Sequence, residues 1–216
     1  VTRMDTLLLQ LVAPLQSWGV QSLYGDRDSA LEPSKSGVTG LLCAALGRGR
    51  DMPVADLASL RMAVRVDREG RLSADFHKAE PLDRNLKPAP GSKVTIGQRR
   101  YLADAAFLVA LEGERLVLQE VHAALKHPVY MLYLGRKAFP PSAPVYLEDG
   151  LFMDAGIQQV LSAYPPVASS APERRRVVIE DPNGEMMIND QPISFAERQF
   201  APRRVHIDYW VFPKEV

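Results

Sequence analysis

The stretch that most constrains this chain is Pro33-Ser34-Lys35-Ser36-Gly37-Val38-Thr39-Gly40-Leu41-Leu42-Cys43-Ala44-Ala45-Leu46-Gly47. Val38, Leu41, Leu42, Ala45 and Leu46 recur at the spacing of one apolar helical stripe, so this helix must pack against a core. Ser34 or Ser36 can cap its start with a side-chain oxygen, and Gly47 can close its end in a left-handed conformation. The first turn offers free backbone N–H groups beside Lys35, and Gly37 leaves them unobstructed, which suits a phosphate. No acidic residue occurs from Pro33 to Arg50, while Lys35, Arg48 and Arg50 are present. The competing reading is a capped core helix with a solvated lysine.

Composition removes several function classes. At 216 residues with 46% hydrophobic content, the chain can build one large domain, or a domain with an extension. Basic and acidic residues balance at 26 each. Any affinity for nucleic acid must therefore come from local segregation of charge. The single cysteine, Cys43, excludes an internal disulfide and a cysteine-based metal site. No signal peptide or membrane-length apolar run is present, which predicts a cytoplasmic protein with no membrane partner.

Along the chain, Leu7–Val12 reads as a central strand, apolar on both faces. The loop Gln16–Glu32 holds Trp18, Tyr24 and Arg27, residue types that stack on unpaired bases and grip phosphate. The alternative packs Trp18 under the sheet and pairs Arg27 with Asp26 or Asp28. After the helix, Asp51-Met52-Pro53 starts a short helical turn running to Leu60. Arg61–Asp67 alternates as a half-exposed strand, and Arg71–Phe76 reads as its hairpin partner across Glu69-Gly70. Residues 77–100 lack periodicity. From Arg84 to Arg100 there are five cations, Arg84, Lys87, Lys93, Arg99 and Arg100, and no acid. This predicts an irregular basic loop suited to nucleic acid.

A strand over Asp104–Leu111, a helix over Glu114–Lys126 and a strand over Val129–Leu134 follow. No acid occurs from Val121 to Leu147, a stretch that includes Arg136 and Lys137. Strand, helix, strand, insertion, strand, helix, strand is the order of a ferredoxin-like α+β domain of the RNA-recognition (RRM) type, which presents an open sheet face to RNA. The C-terminal third reads as β-rich. It has a helix within 152–164, a hairpin at Asp181-Pro182-Asn183-Gly184 between Arg174–Glu180 and Glu185–Ile188, and a closing strand over Val205–Phe212. The expected division is a domain over 1–140, with a basic insertion near 77–102 (a protruding thumb, on the family resemblance given next), and an extension over 141–216.

Leu9-Gln10-Leu11-Val12-Ala13-Pro14-Leu15-Gln16-Ser17-Trp18-Gly19, followed by Pro33–Gly37 and Gly40-Leu41-Leu42, resembles the CasD-type RAMP subunits of type I-E CRISPR Cascade complexes. Arg100–Phe107, Leu132-Tyr133-Leu134-Gly135-Arg136-Lys137 and Arg198-Gln199-Phe200-Ala201 extend the resemblance across nearly the whole chain. Residues 164–192 carry none of its motifs. The resemblance implies a non-catalytic assembly subunit that holds the 5′ handle of crRNA and caps the guide-bearing filament. It implies contacts with the backbone subunit CasC and the large subunit CasA, with target DNA nearby. On this reading the RNA-binding residues are Gln16, Trp18, Tyr24, Arg27, Lys35, Ser36, Gly37, Arg48, Lys93, Arg99, Arg100, Arg136 and Lys137, with no catalytic residue, metal or cofactor. Some relatives in systems lacking a separate processing enzyme cleave crRNA precursor. The alternative is therefore a metal-independent endoribonuclease using His77 with Tyr24 or Lys35 as acid and base. His122 and His127 do not share a helical face as a zinc pair would.

Overall fold

A computed structural model describes residues 4–20, 26–89 and 91–213 of the chain. Its elements run β1 (Asp5–Val12), β2 (Leu15–Gln16), α1 (Lys35–Leu46), α2 (Ala55–Ala58), β3 (Arg61–Arg68), β4 (Arg71–Ala79), β5 (Thr95–Ala103) and β6 (Ala106–Gly113). They continue with α3 (Arg115–Lys126), β7 (Tyr146–Phe152), α4 (Ile157–Ala163), β8 (Arg174–Glu180), β9 (Met186–Ser194) and β10 (Gln199–Val211). The fold is mixed α and β, with antiparallel pairing throughout its named strands. Seven strands form one sheet in the order β7-β1-β6-β3-β8-β10-β9, and three form a second in the order β2-β5-β4.

The helix signals at both ends of α1 act as the sequence indicates. Ser34 Oγ accepts the Gly37 N–H, and Gly47 closes the helix at φ 75°. Leu7, Leu9 and Leu11 of β1 point into a core shared with Val38, Leu42, Leu118 and Val121, under α1 and α3. Leu8 points the other way, into a second core with Leu108, Ile157, Leu161, Val177 and Ile179. Every residue of β6 is buried. The open sheet face expected to receive RNA is therefore absent from the centre of this sheet. α4 and the C-terminal strands supply the apolar side chains that cover it, because β1 and β6 carry leucines on both faces.

Three pairings differ from the sequence reading. β3 does not form a hairpin with β4; its two edges are taken by β6 and β8, and β4 pairs with β5 from Arg71↔Ala103 to Ala79↔Thr95. Gly70 turns the chain from β3 into β4 at φ 72°, where a Cβ would sit 2.7 Å from the Ala103 carbonyl. Of residues 77–100, only 77–79 and 95–100 belong to this two-stranded ribbon; the stretch between Ala79 and Thr95 is irregular, as expected, and carries one isolated bridge between Leu82 and Pro88. Val129–Leu134 is not a strand. The Val129 and Tyr130 N–H groups donate to the Ala45 and Ala44 carbonyls at the end of α1, at 3.0 and 3.1 Å, and β7 takes the place beside β1. Finally, β8 and β9 flank the Asp181–Gly184 turn without pairing. β10 lies between them, and Gly184 lets the Val205 backbone approach within 2.3 Å of where a Cβ would stand.

The second core is fastened by one arginine. Arg65 on β3 is fully buried, and its five donor hydrogens meet five acceptors: both Asp67 carboxylate oxygens and the carbonyls of Leu161, Tyr164 and Pro165. Asp67 also accepts the Val167 N–H at 2.7 Å. The guanidiniums of Arg65 and Arg175 lie 5.2 and 4.4 Å from the Phe212 ring centroid. Arg65→Met is expected to lower folding stability by about 3–5 kcal/mol, since it strands a buried carboxylate and three carbonyls. Urea denaturation measures this, and an unchanged midpoint would refute the role.

Candidate nucleic-acid interface

The start of α1 holds an anion, but the anion belongs to the protein. The Lys35 N–H donates to Asp190 Oδ2 at 2.7 Å, and Asp190 is gripped by Arg203 at 2.6 and 3.0 Å. Lys35 Nζ lies 2.8 Å from both Glu180 oxygens, and its side chain is 3% exposed. Burial pushes the Lys35 ammonium below its ordinary pKa, against the opposing pull of Glu180. The phosphate contact expected of Lys35 is corrected accordingly: Glu180 and Asp190 arrive from β8 and β9, far along the chain.

The endoribonuclease alternative loses Lys35 for the same reason. Lys35→Ala is expected to lower stability by about 3 kcal/mol, the scale for breaking a buried pair. It should leave the salt dependence of RNA binding unchanged. Thermal melting and a salt titration separate the two effects, and intact melting with a reduced salt slope would restore the original assignment.

Two further expected contacts are also buried. Gln16 Nε2 donates to the carbonyls of Leu11 and Ala105, at 3.1 and 2.8 Å, and its Oε1 accepts Trp18 Nε1–H at 3.2 Å. Trp18 is 1% exposed and packs on Gly37, where a Cβ would meet the indole at 2.8 Å. The indole therefore requires the glycine, and neither Gln16 nor Trp18 faces a ligand. Tyr24 lies outside the described residues.

The structure does bring Arg27, Arg99 and Arg136 together. Arg27 adds a short parallel bridge to β5 at Arg99, with the Arg27 N–H on Gln98 O at 2.9 Å and the Arg100 N–H on Arg27 O at 2.8 Å. Arg136 Nη2 donates to the Arg100 carbonyl at 2.6 Å, and its guanidinium lies 5.3 Å from the Phe139 centroid. Burial, then repulsion from Arg99 and Arg27, lowers the Arg136 pKa; Asp75 opposes the shift. The side chains of Arg27 and Arg99 have no ion pair among the described residues. Arg100 is exposed but alternates to the other face of the ribbon, and Lys93 is exposed at the tip.

Beside this cluster lies an open groove of about 550 Å³. Ser36, Gly37, Gly40 and Ala44 of α1 form its floor; Tyr130 and Tyr133 line it from one segment, Phe195 and Phe200 from the β9–β10 hairpin. Arg50, Lys137 and Arg198 line it as well, and none of its lining residues is a carboxylate. Arg48 also lines it, but its guanidinium is committed to Asp56 at 2.8 and 2.7 Å, which holds its pKa above the ordinary value. Gly135, at φ 95°, presses the intervening loop onto the Ser17 backbone, where a Cβ would fall 1.8 Å from the carbonyl oxygen. The loop therefore faces both ways, with Arg136 toward the arginine cluster and Lys137 toward the groove. Sequence reasoning missed Arg50, Tyr130, Tyr133, Phe195, Arg198 and Phe200 as site residues. The available signals were the acid-free run from Val121 to Leu147 and the Arg198–Ala201 motif.

The comparisons with known proteins agree with this architecture. The family described as CRISPR-associated protein (Cas_Cas5) matches residues 6–206, and the chain belongs to that Cas5 family. It is 30% identical over 215 residues to the CRISPR system Cascade subunit CasD of Escherichia coli (strain K12), covering 93% of this chain and 94% of the relative. Among solved structures, one titled "Crystal structure of Cas protein" superposes with TM-score 0.80 at 44% identity, covering 97% of this chain and 98% of that one. A chain of a "CRISPR RNA-guided surveillance complex" superposes with TM-score 0.77 at 29% identity, covering 96% and 91%. No helix among the described residues is long and apolar enough to cross a membrane.

Proposed function

We propose that this chain is a non-catalytic, RNA-binding Cascade subunit, similar to CasD, that holds the 5′ handle of crRNA. The observation that carries the reading is the cationic cluster of Arg27, Arg99 and Arg136, continuous through Lys137 with an acid-free aromatic groove, in a member of the Cas5 family. Three guanidiniums held together repel one another, and an RNA phosphate relieves that repulsion. Most of these contacts address the backbone, so sequence choice in the complex comes from guide–target pairing.

The order β7-β1-β6-β3, with α1 and α3 packed on one face, supports a ferredoxin-like core. The β4–β5 ribbon corresponds to the basic thumb near 77–102. The division at residue 140, with a β-rich extension beyond it, belongs to the same proposal. So do the contacts with CasC and CasA, the nearby target DNA and the cytoplasmic location. Lys93 at the ribbon tip and Arg100 on its second face would meet RNA or the neighbouring backbone subunit.

Fluorescence titration of the purified chain with handle RNA, across salt concentrations and in EDTA, tests the function. Tight, uncleaved binding is expected. Arg27→Ala, Arg99→Ala and Arg136→Ala should each reduce the salt slope by about 0.7, one phosphate on a single strand. Cleavage of the RNA, or slopes unchanged in all three variants, would overturn the reading.

A further inference from the structure

Arg50, Lys137 and Arg198 converge on the groove from three separate segments. None has a hydrogen-bond or ion-pair partner for its side chain among the described residues. Asp51 and Glu197 stand next in sequence to Arg50 and Arg198, but neither lines the cavity, and no carboxylate does. The ligand that fits is anionic.

Its second property follows from the aromatic residues. Phe195 and Phe200 meet edge to face, with centroids 6.3 Å apart. Phe200 is 36% exposed and Tyr130 57% exposed. These rings remain open although the core nearby is densely packed. The floor beneath them is the open side of α1, where Gly40 carries no side chain and leaves room for a flat ring to approach; the space at Gly37 is already taken by Trp18. At Gly40, a Cβ would meet only Phe195, at 3.8 Å. The site is therefore flat, aromatic and cationic, with a volume in the range of small-ligand pockets.

Resting on the function proposed above, we infer that this groove takes one unpaired nucleobase of the bound RNA, stacked on Phe200 or Tyr133, with the flanking phosphates on Lys137, Arg198 and Arg50. An acidic peptide would satisfy the cations but would leave the flat floor and open rings without a matching group. The continuity through Gly135–Lys137 to the Arg27–Arg99–Arg136 cluster also favours a strand that follows both. Stacking is tolerant of base identity, so the groove contributes affinity and register rather than sequence reading.

The test uses a series of handle RNAs, each with 2-aminopurine at one position, bound to the purified full chain. One position, or two adjacent positions, should lose fluorescence on binding. Gly40→Leu fills the groove from a helical site where leucine is a better helix former than glycine, so the variant should fold with unchanged or raised melting temperature. It should restore fluorescence at the quenched position and weaken binding by about fivefold to a hundredfold, the range for loss of one stacked base. Phe200→Leu should restore the fluorescence as well, whereas Gly40→Ala should leave quenching and affinity near those of the natural chain. RNA bound tightly with no quenched position, or quenching indifferent to Gly40→Leu, would overturn the groove assignment and leave the proposed function standing. Absence of any binding of handle RNA to the natural chain would overturn both. Quenching abolished by an acidic peptide, while the RNA stays bound, would identify a protein segment as the occupant and overturn the inference.

Discussion

The buried charges at the start of α1 hold the two halves of the molecule in register. Lys35 and its own N–H are met by Glu180 and Asp190, and Arg203 completes the group by gripping Asp190. Three C-terminal strands, β8, β9 and β10, each supply one of these partners. Buried ion pairs are weak sources of net stability, because desolvation offsets most of the attraction. Their geometric demands are strict, however. A slip of β9 by one residue would turn the Asp190 side chain to the opposite face and leave Lys35 and Arg203 with too little negative charge. The cluster thus specifies where the β9–β10 hairpin sits. That hairpin carries Phe195, Arg198 and Phe200 to the groove on α1. The site is assembled across the fold, and a structural ion network sets its alignment.

The second face of the sheet follows a related logic. Strands that are apolar on both sides must be covered on both sides, or they would expose a large apolar surface. α4 and the following loop supply the cover, and Arg65 binds the carbonyls where that cover turns back. On the proposed function, this cover leaves the margin of the sheet, and not its face, for RNA. There the ribbon base, the loop at Gly135 and the open side of α1 remain accessible.

Local chemistry was legible in the sequence wherever it depended on neighbours along the chain. The caps of α1, its apolar stripe, α3 and the burial of β1 all follow from short-range pattern. The anion-binding character of the α1 N-terminus was also legible, but its occupant was not. A stretch free of acids from Pro33 to Arg50 carries no information about Glu180 and Asp190. The same reason explains the missed pairings: β3 meets β6 and β8 because the sheet offers those edges, and no local turn encodes it. Val129–Leu134 has strand-like composition, yet two of its N–H groups serve as partners for the carbonyls that end α1. In the candidate site, Arg27 and Arg136 were legible as a pair of basic loop residues. The aromatic walls were not, because Tyr130, Tyr133, Phe195 and Phe200 each look like ordinary core residues until the fold leaves them at one open groove.

Net charge makes the remaining point. The chain carries equal numbers of acids and bases, 26 of each, so any excess at one place is balanced elsewhere. Several acids are consumed internally: Asp67 by Arg65, Asp5 by Arg115, Asp56 by Arg48, Glu180 and Asp190 by Lys35 and Arg203. Arg176 takes two more, Glu32 and Glu69. What this pairing leaves around the groove is cationic, and at the ribbon base Arg27, Arg99 and Arg136 outnumber the nearby Asp26 and Asp75. A patch of that kind is electrostatically unfavourable in the free protein, since Arg136 already feels Arg99 and Arg27. The repulsion becomes an advantage once a polyanion arrives: every phosphate seated there gains attraction to several guanidiniums and relieves their mutual repulsion. A neutral chain can therefore bind RNA firmly, provided its acids are committed to holding the fold and its unpaired cations are left in one continuous path.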